Sequence, residues 1–191
     1  MTSTSRPASE RTAVATTGTI ASLSSTVLSV DNLLGFGGSH LFGFGAAAFF
    51  VALAVLGGSA CMVFAVRGRD LAPGVAAASV AGFVVTQSPA LGTDLWLPLS
   101  TALHALVPLA FAASALVTWS RSPMKVLRVG SSLTAILAVS WAVGGFVPLW
   151  LELFLALQAA TLLATTALMA GPLLPRVAGF VRNIWDNAAI R

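Results

Sequence analysis

Few side chains in this chain can do chemistry, and one of them sits deep in an apolar run. His104 lies in the stretch LWLPLSTALHALVPLAFAASALVTW, between Trp96 and Trp119. Apart from the Cys61 thiol, it is the only ionisable side chain well inside an apolar segment. A neutral imidazole offers one donor and one acceptor, which suits three roles. It can bond across helices to Gln158, Gln87 or Ser100. It can contact a substrate, with Gln158 and Gln87 as further candidates, since these are the other strongly polar groups within apolar segments. It can ligate a cofactor, such as a haem iron, a copper ion or the magnesium of a (bacterio)chlorophyll. Ser100 and Ala105 would leave room beside it for a large ring. Four residues on, Pro108 lacks the N–H that would bond the His104 carbonyl, so a kink is predicted there.

A second set of ligating residues is Asp31, His40, Asp94 and Glu152. Carboxylates with one imidazole suit a divalent cation. Nothing in the sequence sets their mutual distance, and the plainer reading of the same residues is solvated loop charges with no shared site.

No catalytic motif accompanies them. The chain has no phosphate-binding loop of the Walker type, no H-E-x-x-H, no G-x-S-x-G and no C-x-x-C. Gly35-Phe-Gly-Gly38 has no strand before it and reads as a turn. The inventory therefore argues against an enzyme, and no cofactor is specified.

Composition gives the elements that must position these groups. Charged residues make up only 8% of the 191-residue chain, and 57% are hydrophobic. Soluble domains carry about 25% charged residues. Mean hydropathy is +0.92 and the isoelectric point is near 11.1. The bases form no single patch, which excludes a nucleic-acid partner. A lone Cys61 excludes an internal disulfide. The fold expected is all-α, a polytopic bundle of transmembrane helices whose partner is the lipid bilayer.

Residues 1–11 read as a disordered tail and 12–172 as the transmembrane helical domain. Residues 173–191 read as an amphipathic tail, with Val177, Phe180, Val181, Ile184, Trp185 and Ala188 on one helical face. Five spans are clear: Phe44 to Val66, Leu71 to Leu91, Trp96 to Trp119, Val126 to Phe146 and Leu151 to Ala170. In the third of these, the two tryptophans stand 23 positions apart. At helical rise that is roughly 35 Å, enough to place a ring at each interface. Trp141 and Trp150 read as anchors of the same kind. A sixth segment, from Thr12 to Val30, is rich in Ser and Thr. Its stripe of Ile20, Leu23, Val27, Val30 and Leu34 is helical, and it suits a weak span, an interfacial helix or a signal peptide. Two rows of small residues at four-residue spacing predict close helix packing: Gly74, Ala78 and Gly82, and Ala156, Ala160 and Ala164.

With six spans, all 10 Lys and Arg residues fall on one side of the membrane. Asp31, Asp94 and Glu152 fall on the other. Positive residues mark the inner face, so a multi-pass protein of the cell membrane with both termini cytoplasmic is expected. Three function classes fit. The chain suits an accessory or scaffolding subunit of a larger membrane complex, with other membrane subunits as partners. It also suits a small-molecule transport or substrate-capture protein. The third class is an electron carrier or pigment- or metal-binding protein using His104.

Overall fold

The structure is a computed structural model. It describes residues 8–36, 38, 40–68, 70–86, 93–121, 125–144, 151–175 and 178–179. Within these, the side chains of 8, 36, 44, 85, 86, 93–105, 119, 126 and 151 lie outside the description. Six α-helices follow one another: α1 (Ala8–Phe36), α2 (Phe44–Arg67), α3 (Leu71–Thr86), α4 (Thr93–Arg121), α5 (Lys125–Gly144) and α6 (Leu151–Ala170). A short 3₁₀ turn, Gly171–Leu173, ends α6 where Pro172 cannot continue the helix ladder. The expected amphipathic tail falls largely outside the described residues.

Four helices, α1, α2, α5 and α6, are long and apolar enough to cross a bilayer. Among the described residues, α3 and α4 carry shorter apolar stretches, Leu71–Val84 and Leu106–Thr118. α4 runs without interruption through Pro108, whose ring is fully buried.

Each helix packs on its neighbour in sequence, and α6 returns to α1. The six therefore close into a ring, with α1 also touching α3. Short connections make the neighbours antiparallel. The Sγ of Cys61 approaches the Val14 carbonyl at 3.5 Å, while the backbone of Gly57 packs between Thr17 and Ala21. That register runs α2 down α1. Thr26 meets Thr166 and Gly18 meets Met169 in the same antiparallel sense between α1 and α6.

Close approach depends on glycines whose added Cβ would collide. On Gly58 it would lie 2.5 Å from the Ala77 carbonyl and 2.8 Å from the Ala81 Cβ. On Gly74 it would lie 2.5 Å from the Ala65 Cβ. The face of α3 that meets α2 is thus Gly74, Ala77 and Ala81. This corrects the expected row of Gly74, Ala78 and Gly82: a Cβ on Gly82 meets no described atom within 4 Å. The second row shifts in the same way. Ala156, Ala160 and Ala164 are half-buried, whereas Gln158, Ala159, Thr161, Leu162, Thr165 and Thr166 form the buried face of α6.

The Ser/Thr-rich segment is no peripheral helix. Half of the span window of α1 is buried, against 33% or less in the other three candidate spans. Its apolar stripe points outward, with Leu23 49% exposed and Ile20 and Leu34 also exposed. Ser22, Ser25, Thr26 and Ser29 point in. The physical reason is the solvent. Lipid tails solvate an apolar stripe as well as a protein core does, so small and polar residues take the helix contacts.

Gly58→Leu is expected to lower the yield of folded protein and to cost on the order of 1–3 kcal/mol by overpacking. The measurement is the melting temperature in detergent. Gly82→Leu should melt as the wild type does. Equal losses in both would show that α3 packs through Gly82 instead.

Candidate functional site: a cavity at the basic end of the helix ring

The ring does not pack solid. A cavity of about 370 Å³ lies inside it, lined by described residues of α1, α3, α4, α5 and α6 and of the turn after α6. Arg11, Asp70 and Pro172 surround its mouth, and Phe111, Thr134 and Thr165 lie at its inner end. Both rim charges belong to helix ends on the side where the described Lys and Arg residues, Arg11, Arg67, Arg121, Lys125 and Arg128, gather. The Asp70 carboxylate accepts a 2.9 Å hydrogen bond from Arg121 Nη1, which ties the end of α4 to the α2–α3 turn and holds the rim.

The wall is apolar with a few hydroxyls. Val14, Ala15, Ala76, Phe111, Ala115 and Leu168 supply the apolar part. The hydroxyls have already spent their protons. Ser114 donates to the Ala72 carbonyl at 2.8 Å, Thr118 to Ser114, Thr134 to Gly130 and Thr165 to Thr161, each of the last three at 2.9 Å. What they offer the cavity is lone pairs, so they are acceptors for ligand N–H or O–H groups. An apolar pocket of this size with a few fixed polar groups, set between helices, is the usual form of a small-molecule site.

Behind the inner end stands an aromatic cluster. Trp141 of α5 is fully buried. Its ring is stacked on Phe111 with centroids 6.1 Å apart, and Phe83 meets it edge-on at 5.2 Å. Trp141 is therefore no interfacial anchor, as its place near a span end suggested, but the centre of the core. Trp150 lies outside the described residues.

The residues singled out from sequence are scattered. His104 falls within α4, but its side chain lies outside the described residues, as does all of Gln87. Gln158 is buried on α6, and its Nε2 has no hydrogen-bond partner among the described residues. Of the four residues considered for a metal, Asp31 and His40 come together, 3.4 Å apart. Asp31 Oδ1 also accepts the backbone N–H groups of Leu41 and Phe42 at 2.5 and 3.2 Å. The carboxylate thereby ties down the connection that follows α1. The His40 ring lies against Gly35, where any Cβ would collide. Gly38 completes the turn at φ +87, a conformation that favours glycine, and donates its N–H to the Gly35 carbonyl. Glu152 is exposed at the start of α6, and the Asp94 side chain lies outside the described residues. Among the described residues, no three His, Cys, Asp or Glu side chains converge.

The cavity residues carried a weak signal in the sequence. Ser114 with Thr118, Thr161 with Thr165, and Ser131 with Thr134 repeat at three- or four-residue spacing. Such pairs mark an inward face only when the outward face is known to meet lipid.

Asp31→Ala should leave two backbone N–H groups without their acceptor and cost about 1–3 kcal/mol. Faster limited proteolysis between α1 and α2 would report it. A manganese- or zinc-dependent rise in melting temperature that disappears in Asp31→Ala would instead show metal ligation at this end. Comparison with protein-family models, with curated proteins and with solved structures finds no match for this chain.

Proposed function

We propose that this chain is a six-span membrane protein that captures a small molecule in the cavity of its helix ring, for transport or for presentation at the cytoplasmic face. The observation that supports this reading most is the cavity itself. It is lined by five helices, large enough for a small ligand, and apolar with a few directed acceptors. An accessory subunit that only fills space between larger partners has no need of such a void, because voids forfeit packing contacts. The charge rule puts the mouth on the cytoplasmic side, and the lipid bilayer is the medium for the apolar outer surface. Leu56, Val129, Ile136 and Leu163 all stand exposed on that surface.

Native mass spectrometry of protein extracted from membranes tests the reading. The wild type is expected to carry an adduct of one fixed small mass. Ala115→Trp, which drives an indole into the cavity wall, should fold and lose that adduct. A bare wild-type chain that instead co-purifies with a larger membrane protein would favour the accessory reading.

Orientation has its own test. Cys61 is buried, so an introduced cysteine reports alone. Leu41→Cys should react with an impermeant maleimide on intact cells, and Ser120→Cys only after lysis. The opposite pattern would invert the topology.

A further inference from the structure

Six buried polar atoms have no hydrogen-bond partner among the described residues, and two of them are donors at one level of the bundle: Trp141 Nε1 and Gln158 Nε2. Trp141 is 0% and Gln158 2% exposed. Their positions follow from the cavity. Thr134 and Thr165 both line its inner end, on α5 and α6. Trp141 lies seven residues beyond Thr134, and Gln158 seven residues before Thr165 on the antiparallel helix. Seven residues are two turns, so each donor falls on the same helix face as its threonine, roughly 10 Å further in. A Cβ on Gly130 would lie 3.3 Å from Leu168 Cδ2, and this pairing of the two helices sets Trp141 beside the turn that holds Gln158. On the neighbouring α1, Ser25 and Ser29 are also buried without partners. Phe111 separates this layer from the cavity, lining the one and stacking on Trp141 in the other.

A buried donor without an acceptor is costly in a bilayer, where no water substitutes. Two at one level, next to a cavity, call for one acceptor. By the Thr26–Thr166 register the layer lies near the level of Asp31, the only charged residue buried among those described, whose carboxylate is held by His40 and by the N–H groups of Leu41 and Phe42. An anion here would meet the like charge of Asp31 and no counter-charge among the described residues, so the acceptor has to be neutral. The edges and faces of Phe83, Phe111 and Trp141 make the surroundings flat and aromatic.

We infer that the site continues past Phe111 to a subsite at Trp141 and Gln158. It takes the carbonyl of a small, uncharged, planar molecule of amide or lactam type. The inference rests on the capture reading and names its substrate class. The carbonyl of such a molecule finds the two donors.

The test uses the whole chain in lipid nanodiscs with three probes of similar size: benzamide, benzoate and toluene. Benzamide is expected to raise the melting temperature, and benzoate and toluene to leave it unchanged. Gln158→Met, close to isosteric, should weaken benzamide about tenfold. Without a probe it should melt no lower than the wild type, because the removed donor has no bond to lose. Trp141→Phe should weaken benzamide similarly, read from binding alone. A fall in melting temperature in unliganded Gln158→Met would show a satisfied amide and overturn the inference. So would equal stabilisation by toluene and benzamide, which leaves the capture reading standing. Failure of all three probes overturns the inference too, while the adduct test judges the cavity separately.

Discussion

A hydroxyl in hydrocarbon has to find an acceptor, and on a helix a near one is the carbonyl four residues back. Thr17, Ser22 and Thr26 on α1 each bond that carbonyl, at 2.7 to 2.8 Å. Thr161, Thr165 and Thr166 on α6 do the same. Satisfied within their own helices, these six side chains can meet without water, while Ser25 and Ser29 on the same face of α1 have no partner among the described residues. Thr26 and Thr166 then close the ring with a 3.1 Å hydroxyl contact between α1 and α6. Such interhelical bonds in membranes average about 0.6 kcal/mol. The contact therefore sets register more than it binds the helices, and close backbone packing does the rest.

That packing is divided by size. Where α1, α2 and α3 meet, Gly57, Gly58 and Gly74 let backbones touch, and Cys61 fits between them with its Sγ towards the carbonyls of Val14 and Pro73. On the other side of the ring, α3, α4 and α5 are held apart by Phe83, Phe111 and Trp141. A ring tight on one side and propped by aromatics on the other leaves a lumen. The aromatics stand at its middle, and the cavity lies towards the basic end. The cavity is thus a consequence of where the large side chains sit, and the hydroxyls that line it belong to the same inward faces that join α1 to α6.

Much of the helix plan was legible in the sequence. α2 and α6 begin where hydropathy and turn residues place them, at Phe44 and Leu151, because a run that must satisfy its backbone in lipid has few choices. The inward faces were harder. Ile20, Leu23 and Leu34 make a stripe that reads as a buried face by the habits of soluble proteins, and they face out. Trp141, near a span end, reads as a belt residue and is core, because Phe83 and Phe111 surround it. The rows through Gly82 and Ala160 are offset from the true contacts. Periodicity gives a spacing but not the rotation of a helix about its axis.

The sequence by itself determined the apolar character, the helical class and many of the turns, and it raised the expectation that Lys and Arg gather on one side, since each follows from local composition and the cost of a bare backbone in hydrocarbon. The tertiary structure decided which face of each helix turns inward, that the polar first helix lies within the bundle, and that Phe111, Thr134 and Thr165 share a cavity. Those outcomes depend on contacts between residues far apart in the chain, such as Thr26 with Thr166. Local spacing carries no information about the partner that a face will meet.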